Sequence, residues 1–120
     1  MSSDLSIKND LPSESREQIL FVNWFRKTHP DHLIFAIPNG GGRNIVTAGR
    51  LKMEGVLAGV PDLFIPSLKL WIEMKRKKGG VVSKEQKSVM NYLETVGYIC
   101  YVAHGCDEAK LIIETVIGSK

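Results

Sequence analysis

The sequence predicts an α/β domain built on one mixed sheet and covered by helices. Three observations carry that expectation. Apolar residues recur at helical spacing in several segments, short β-rich runs stand between them, and Gly, Pro and Ser separate the two kinds. The order reads helix, strand, helix, strand, strand, helix, strand, helix, which is the pattern of a single sheet layered with helices. A chain of 120 residues is expected to form one domain and can bury a core without disulfides.

Each element has its own signal. Residues 1–12 are polar and patternless and are expected to form a flexible tail, leaving the domain proper at 13–118. "PSESREQILFVNWFRKTHP" predicts a helix that Ser13 or Ser15 can cap and Pro30 limits, with Leu20, Phe21, Trp24 and Phe25 as its apolar face. "HLIFAIPN" predicts a short strand, "GGGRN" a flexible turn, and "IVTAGRLKMEG" a helix stopped at Gly55. "DLFI" and "KLWIEMK" predict a hairpin turning at Pro66-Ser67. "SKEQKSVMNYLETVG" predicts a helix with a Ser83–Gln86 capping box, an apolar stripe of Val89, Tyr92, Leu93 and Val96, and an end at Gly97. "YICYVA" is apolar throughout and predicts a buried central strand. "CDEAKLIIETVIG" predicts a closing helix capped by Asp107.

Composition narrows the class of protein. The net charge is only +3, yet seven of the nine charged residues from Lys69 to Lys87 are basic, a patch suited to polyanions. Two cysteines make no disulfide framework: Cys100 reads as a small core residue, and Cys106 as an exposed loop residue. Cys106 and His104 supply only two ligands, too few to define a metal site. No secretory pattern opens the chain and no apolar run could cross a bilayer, so a reduced, cytoplasmic setting is expected.

The chemistry concentrates in "GVPDLFIPSLKLWIEMKRKKGG". In a strand, alternate residues share a face, so Glu73 and Lys75 are neighbours on one side of "LWIEMK". A hairpin brings Asp62 to the same place. Two partly buried carboxylates repel one another and lose solvation, and a divalent cation resolves both penalties. A Mg²⁺-class ion on Asp62 and Glu73, with Lys75 to orient a water or neutralise a phosphate, matches the demands of phosphodiester hydrolysis. The competing reading is a Glu–Lys pair on a solvent-facing edge strand, with Asp62 capping a turn.

"GVPDL", "WIEMKRKKGG" and "SKEQ", together with "PNGGGR" and "EGVLAGVPD", resemble the VRR-NUC (virus-type replication-repair nuclease) domain of the PD-(D/E)XK superfamily. The resemblance spans Glu14 to Ile117 and is to the small standalone members from phages, prophages and bacteria. It implies a restriction-endonuclease-like core and a Mg²⁺- or Mn²⁺-dependent endonuclease. It implies that Asp62, Glu73 and the main-chain carbonyl of Met74 bind metal and that Lys75 is catalytic. It further implies that a glutamate of the first helix, Glu17 with Glu14 one turn earlier as the alternative, completes the site, directly or through water. Gln86 matches a glutamine that supports the site, a role compatible with helix capping. A homodimer acting on branched DNA, Holliday junctions above all, is also implied by the resemblance.

Arg76, Lys77 and Lys78 before Gly79-Gly80 are expected to contact the DNA backbone, with Arg43, Arg50 and Lys52 extending that surface. No base-reading motif is visible, so shape recognition is expected. Val81 and Val82, or Val56 and Leu57, are candidates for a dimer interface or for core. Three other readings compete: a non-cleaving nucleic-acid-binding module of the same fold, a sequence-specific restriction-type enzyme, and a structural protein. The acids argue against the first and last, and the short chain leaves no room for the recognition domain the second needs.

Overall fold

A computed structural model describes residues 13–38 and 45–119. Its elements are α1 (Ser13–Thr28), β1 (Phe35–Ala36), α2 (Ile45–Met53), β2 (Leu63–Ile65), β3 (Leu70–Lys75), α3 (Lys84–Thr95), β4 (Ile99–His104) and α4 (Cys106–Gly118). The four strands form one mixed sheet in the order β1-β2-β3-β4. β1 to β3 run antiparallel, and β4 runs parallel to β3 after the crossover through α3. The fold is the mixed α/β arrangement the sequence predicts. The expected tail at 1–12 and the glycine turn with Arg43 lie outside the described residues.

Strand alternation divides the sheet into two faces. Leu63, Ile65, Leu70, Ile72 and Met74 form one face and are fully buried. Phe21 and Phe25 of α1 and Ala109, Ile113 and Val116 of α4 pack against them as a single core. Phe64, Trp71, Glu73 and Lys75 belong to the opposite face. There Phe64 stacks on Trp71 at 4.1 Å between ring centroids, and Tyr98 meets both rings edge-on. Toward the other end of this face α3 approaches the charged pair.

The hairpin forms as expected, with a 3-10 turn at Pro66–Leu68 and Lys69 in the left-handed region at φ 51°. The capping box also forms: Ser83 Oγ accepts from Gln86 N–H at 3.1 Å, and Gln86 Oε1 accepts from Ser83 N–H at 2.8 Å.

Six expectations need correction. The strand expected over 32–39 contracts to two residues, because β1 has only three-residue β2 to pair with. Among the described residues "YICYVA" is an edge strand rather than a central one: β4 pairs there only with β3, and Ile99 and Tyr101 are exposed. Leu20, Tyr92 and Val96, placed on apolar faces, are also exposed, while Met90 is the buried residue of α3. Ser13 and Ser15 both lie inside α1 rather than capping it. Asp107 does not cap α4 either; Gly105 is the N-cap, and Cys106 is the first helical residue and buried rather than in an exposed loop. Its N–H donates to Glu17 Oε1 of α1 at 2.7 Å, so a carboxylate from another helix satisfies the N-terminus of α4.

Candidate active site

The site begins with the hairpin register. Leu63 faces Ile72, which brings Asp62 and Glu73 to the open end of the β2–β3 pair. Asp62 Oδ2 accepts from Met74 N–H at 2.7 Å, fixing the carboxylate against the strand. Lys75 C=O accepts from Gly105 N–H on the β4 side. Met74, one residue back, therefore presents both its N–H and its C=O to the Asp62 side, since the two groups of one strand residue leave together.

Glu73 is 1% exposed and Lys75 7%, so both charged groups are buried. Gln86 holds them. Its Nε2 donates to Glu73 Oε2 at 2.9 Å, and its Oε1 accepts from Lys75 Nζ at 3.0 Å. The same Oε1 takes the Ser83 N–H of the capping box, so one amide begins α3 and links the acid to the base. Lys75 Nζ also stands 3.4 Å from Glu73 Oε2. Gly59 sets the approach of this helix. With φ +95°, it lies so close to the first turn of α3 that a Cβ there would stand 2.6 Å from the Glu85 carbonyl carbon and oxygen. Only a residue without a side chain fits that contact.

The electrostatics follow from crowding. Burial, and then the charge of Asp62, push the Glu73 carboxyl up to about 8, against the pull of Lys75. Burial also raises Asp62, opposed by the Met74 N–H bond and by Lys75. Glu14 is raised by burial and then by Asp62, while Lys75 and Arg76 pull it down. These mutual influences put Glu14 beside the cluster. Glu17, one turn later, directs its carboxylate to Cys106 instead. The structure thus gathers Asp62, Glu73, Lys75 and Gln86, with Glu14 alongside, and gives Glu17 to α4.

A cleft of about 570 Å³ is lined by Ser13, Glu14 and Ser15 at the start of α1, by Gly79–Val81 and by Lys75 and Arg76, and meets the cluster at Lys75. Val81 is exposed. Among the described residues, no group of three His, Cys, Asp or Glu side chains is close enough to hold a metal by itself. Nevertheless, the Glu73 carboxyl is buried in hydrogen-bond contact with a second acid, Asp62, so that when both are ionised Glu73 Oε1 has no donor. That orphaned oxygen fits a cation. Mg²⁺ is commonly bound by one or two carboxylates together with water and substrate oxygens, so Asp62, Glu73 and the Met74 carbonyl are a sufficient set.

No family model matches the chain, and no curated protein matches it. A solved structure described as a "VRR_NUC domain protein" matches over 91% of each chain, with a TM-score of 0.74 and 26% identity. The chain has a VRR-NUC domain fold. This is a nuclease-type fold, and the cluster described above occupies the sheet of that domain.

The VRR-NUC fold also shows what the sequence reading placed differently. Arg50 and Lys52 are exposed on α2, as a basic surface requires, but Arg76 folds back onto its own loop, where Nε donates to Lys78 O at 2.8 Å and Nη2 to Gly79 O at 3.2 Å. Two residues were missed. His104 Nε2 lies 3.3 Å from Gly80 O, and Glu108 Oε1 accepts from His104 N–H at 2.8 Å. The only sequence signal for this pair is its i, i+4 spacing across the start of α4. Neither Cys100, whose thiol burial pushes up to about 11, nor Cys106 joins the cluster. No helix among the described residues is long and apolar enough to cross a membrane.

Proposed function

We propose that the protein is a Mg²⁺- or Mn²⁺-dependent DNA endonuclease that hydrolyses phosphodiester bonds in branched DNA, four-way junctions foremost. The observation that carries this reading is the buried Glu73, which has one oxygen held by Gln86 and the other unsatisfied beside Asp62. A fold gains little from such an acid, because two adjacent buried carboxylates lose solvation and repel one another, a cost Lys75 only partly offsets.

Asp62, Glu73 and the Met74 carbonyl would hold the ion, which when bound supplies stabilisation of phosphate charge. Glu14, rather than Glu17, would complete this set at the cleft wall. An ammonium has three protons. Two of those on Lys75 reach Gln86 and Glu73, and the third serves to orient a water or meet a phosphate oxygen. Gln86 keeps the ammonium and the carboxylate in register. Lys77, Lys78, Arg50 and Lys52 would follow the backbone without reading bases.

We extend the reading to a homodimer. Exposed Val56, Leu57 and Val81 offer apolar surface, and two-fold pairing would present two sites to a two-fold junction. The test is cleavage of an end-labelled four-way junction, beside flap and linear duplex, with Mg²⁺, Mn²⁺ or EDTA, and with Asp62→Ala as control. Metal-dependent nicks at symmetric positions, lost in the variant, are expected. Binding without cutting under either metal would sink the nuclease reading. Light scattering on the same samples should give twice the chain mass of 13.4 kDa.

A further inference from the structure

We propose that Arg76 and His104 are positioning residues that hold Lys75 in place, and that Arg76 is not a DNA contact. The proposal rests on the nuclease reading, in which Lys75 works from a fixed position. Lysine is poorly suited to that task, because its four-carbon stem is flexible and its ammonium is a point charge. Something has to fix the stem, and the loop after β3 does so.

The loop is built around three contacts. The guanidinium of Arg76 turns back and donates to Lys78 O and Gly79 O, which closes residues 76–79 into a turn. The next residue, Gly80, then lies directly on the lysine stem. A Cβ at Gly80 would stand 2.8 Å from Lys75 Cβ and 3.3 Å from Cγ and Cδ, so only glycine brings backbone this close. Finally, Gly80 O lies 3.3 Å from His104 Nε2. A carbonyl can only accept, so Nε2 carries the proton. His104 is the register partner of Lys75 in β4, and its own backbone N–H is tied to Glu108. The latch is therefore anchored to the strand beside the one it serves.

These contacts give Arg76 a different job from its neighbours. Two of its donors are engaged within the turn, in a geometry that one ammonium cannot reproduce. Arg76 is exposed like Lys77 and Lys78 and differs from them in having its guanidinium tied into the turn. Arg76 and His104 act on the chemistry only through Lys75, whose Nζ must stay between Gln86 Oε1 and Glu73 Oε2.

The test compares wild type with Arg76→Lys, Arg76→Ala, His104→Ala and His104→Gln. The first readout is reductive methylation with formaldehyde and cyanoborohydride in the absence of DNA and metal, mapped by mass spectrometry. Lys75 should react several-fold faster in Arg76→Ala, Arg76→Lys and His104→Ala. Lys84 and Lys87, exposed on α3, should be unchanged, which reports an intact fold. His104→Gln can still donate to Gly80 O and should restore protection. The second readout is the salt dependence of DNA binding. A lost phosphate contact lowers the slope of log K against log salt by about 0.9. The slope should stay at the wild-type value in Arg76→Ala. Unchanged Lys75 labelling in all variants, or a lowered slope that Arg76→Lys restores, would overturn the proposal. If the wild type neither binds nor cuts DNA, the nuclease reading fails by itself, and the labelling result still decides whether the loop holds Lys75.

Discussion

β3 and β4 lie side by side in parallel, six residues each, and their sequences suggest the opposite of what they do. LWIEMK carries a glutamate and a lysine, yet five of its residues are buried. ICYVAH carries neither, yet Ile99 and Tyr101 face solvent. Burial in a sheet is set by strand order and by what covers each face, and composition follows that only loosely. Where position forces a charged pair inside, partners must be supplied, and here the hairpin supplies Asp62 and the cap of α3 supplies Gln86. The edge strand needs no such provision. The charged residues of β3 are thus expected to matter for chemistry, and its apolar ones for stability, while the exposed residues of β4 matter for neither.

Several measurements break or sharpen this contrast. The largest effect is expected from Lys75→Ala and Glu73→Gln, each lowering single-turnover cleavage by about 10³-fold, in the range for losing one group that stabilises transition-state charge. Wild-type rates in either variant would mean that β3 holds no active site. Next come the apolar residues, measured by urea unfolding. Ile72→Ala should cost about 2–5 kcal/mol, as buried large-to-small changes do. Ile99→Ala should cost under about 1 kcal/mol, as exposed changes do. Equal losses would erase the distinction between centre and edge.

A third measurement is the pH dependence of stability in chelator. A carboxyl lifted from 4.5 to about 8 by folding keeps its proton in the folded chain where the unfolded chain has released it. Between those values the folded state binds more protons, so stability is full below the lower value and is lost as pH rises through the upper one. Asp62 is shifted in the same direction. The wild-type Tm should therefore fall from about pH 5 to about pH 8 and level off above that. Glu73→Gln should flatten that fall and melt a few degrees above wild type at the alkaline end. A flat wild-type profile would mean that Glu73 is not a burdened acid. A comparably small effect is expected of Ser83→Ala, about 1 kcal/mol for one cap. Cleavage should drop with it, because the Gln86 backbone N–H loses the hydroxyl that holds the first turn of α3 beside the cluster; an unchanged cleavage rate would separate cap from site.

Much of this was legible in the sequence because the signals are local. Ser83 and Gln86 are three residues apart, Pro66-Ser67 marks its own turn, and strand alternation alone puts Glu73 beside Lys75. What was not legible depends on distant partners. No feature near Ile99 says that β4 will have a neighbour on one side only. The acceptor for the first N–H of α4 is Glu17, separated from Cys106 by 89 positions, and no local pattern could name it. The choice between Glu14 and Glu17 is a choice of helix rotation, and the packing of α1 against the sheet and α4 decides it. Arg76 reads as one more cation in a basic run, and only the path of the loop shows that its guanidinium is tied to Lys78 O and Gly79 O.

Gln86 has a consequence for how the molecule breathes. Its amide belongs at once to the first turn of α3 and to the charged cluster, so the two cannot open separately. Fraying of that turn would remove the donor from Glu73 and the acceptor from Lys75 in one event. In hydrogen–deuterium exchange, the amides of Ser83 and Gln86 should lose protection together, and mutations that disturb the cluster should speed both. The start of this helix is thus a cooperative opening unit whose closed form is the competent arrangement of the site.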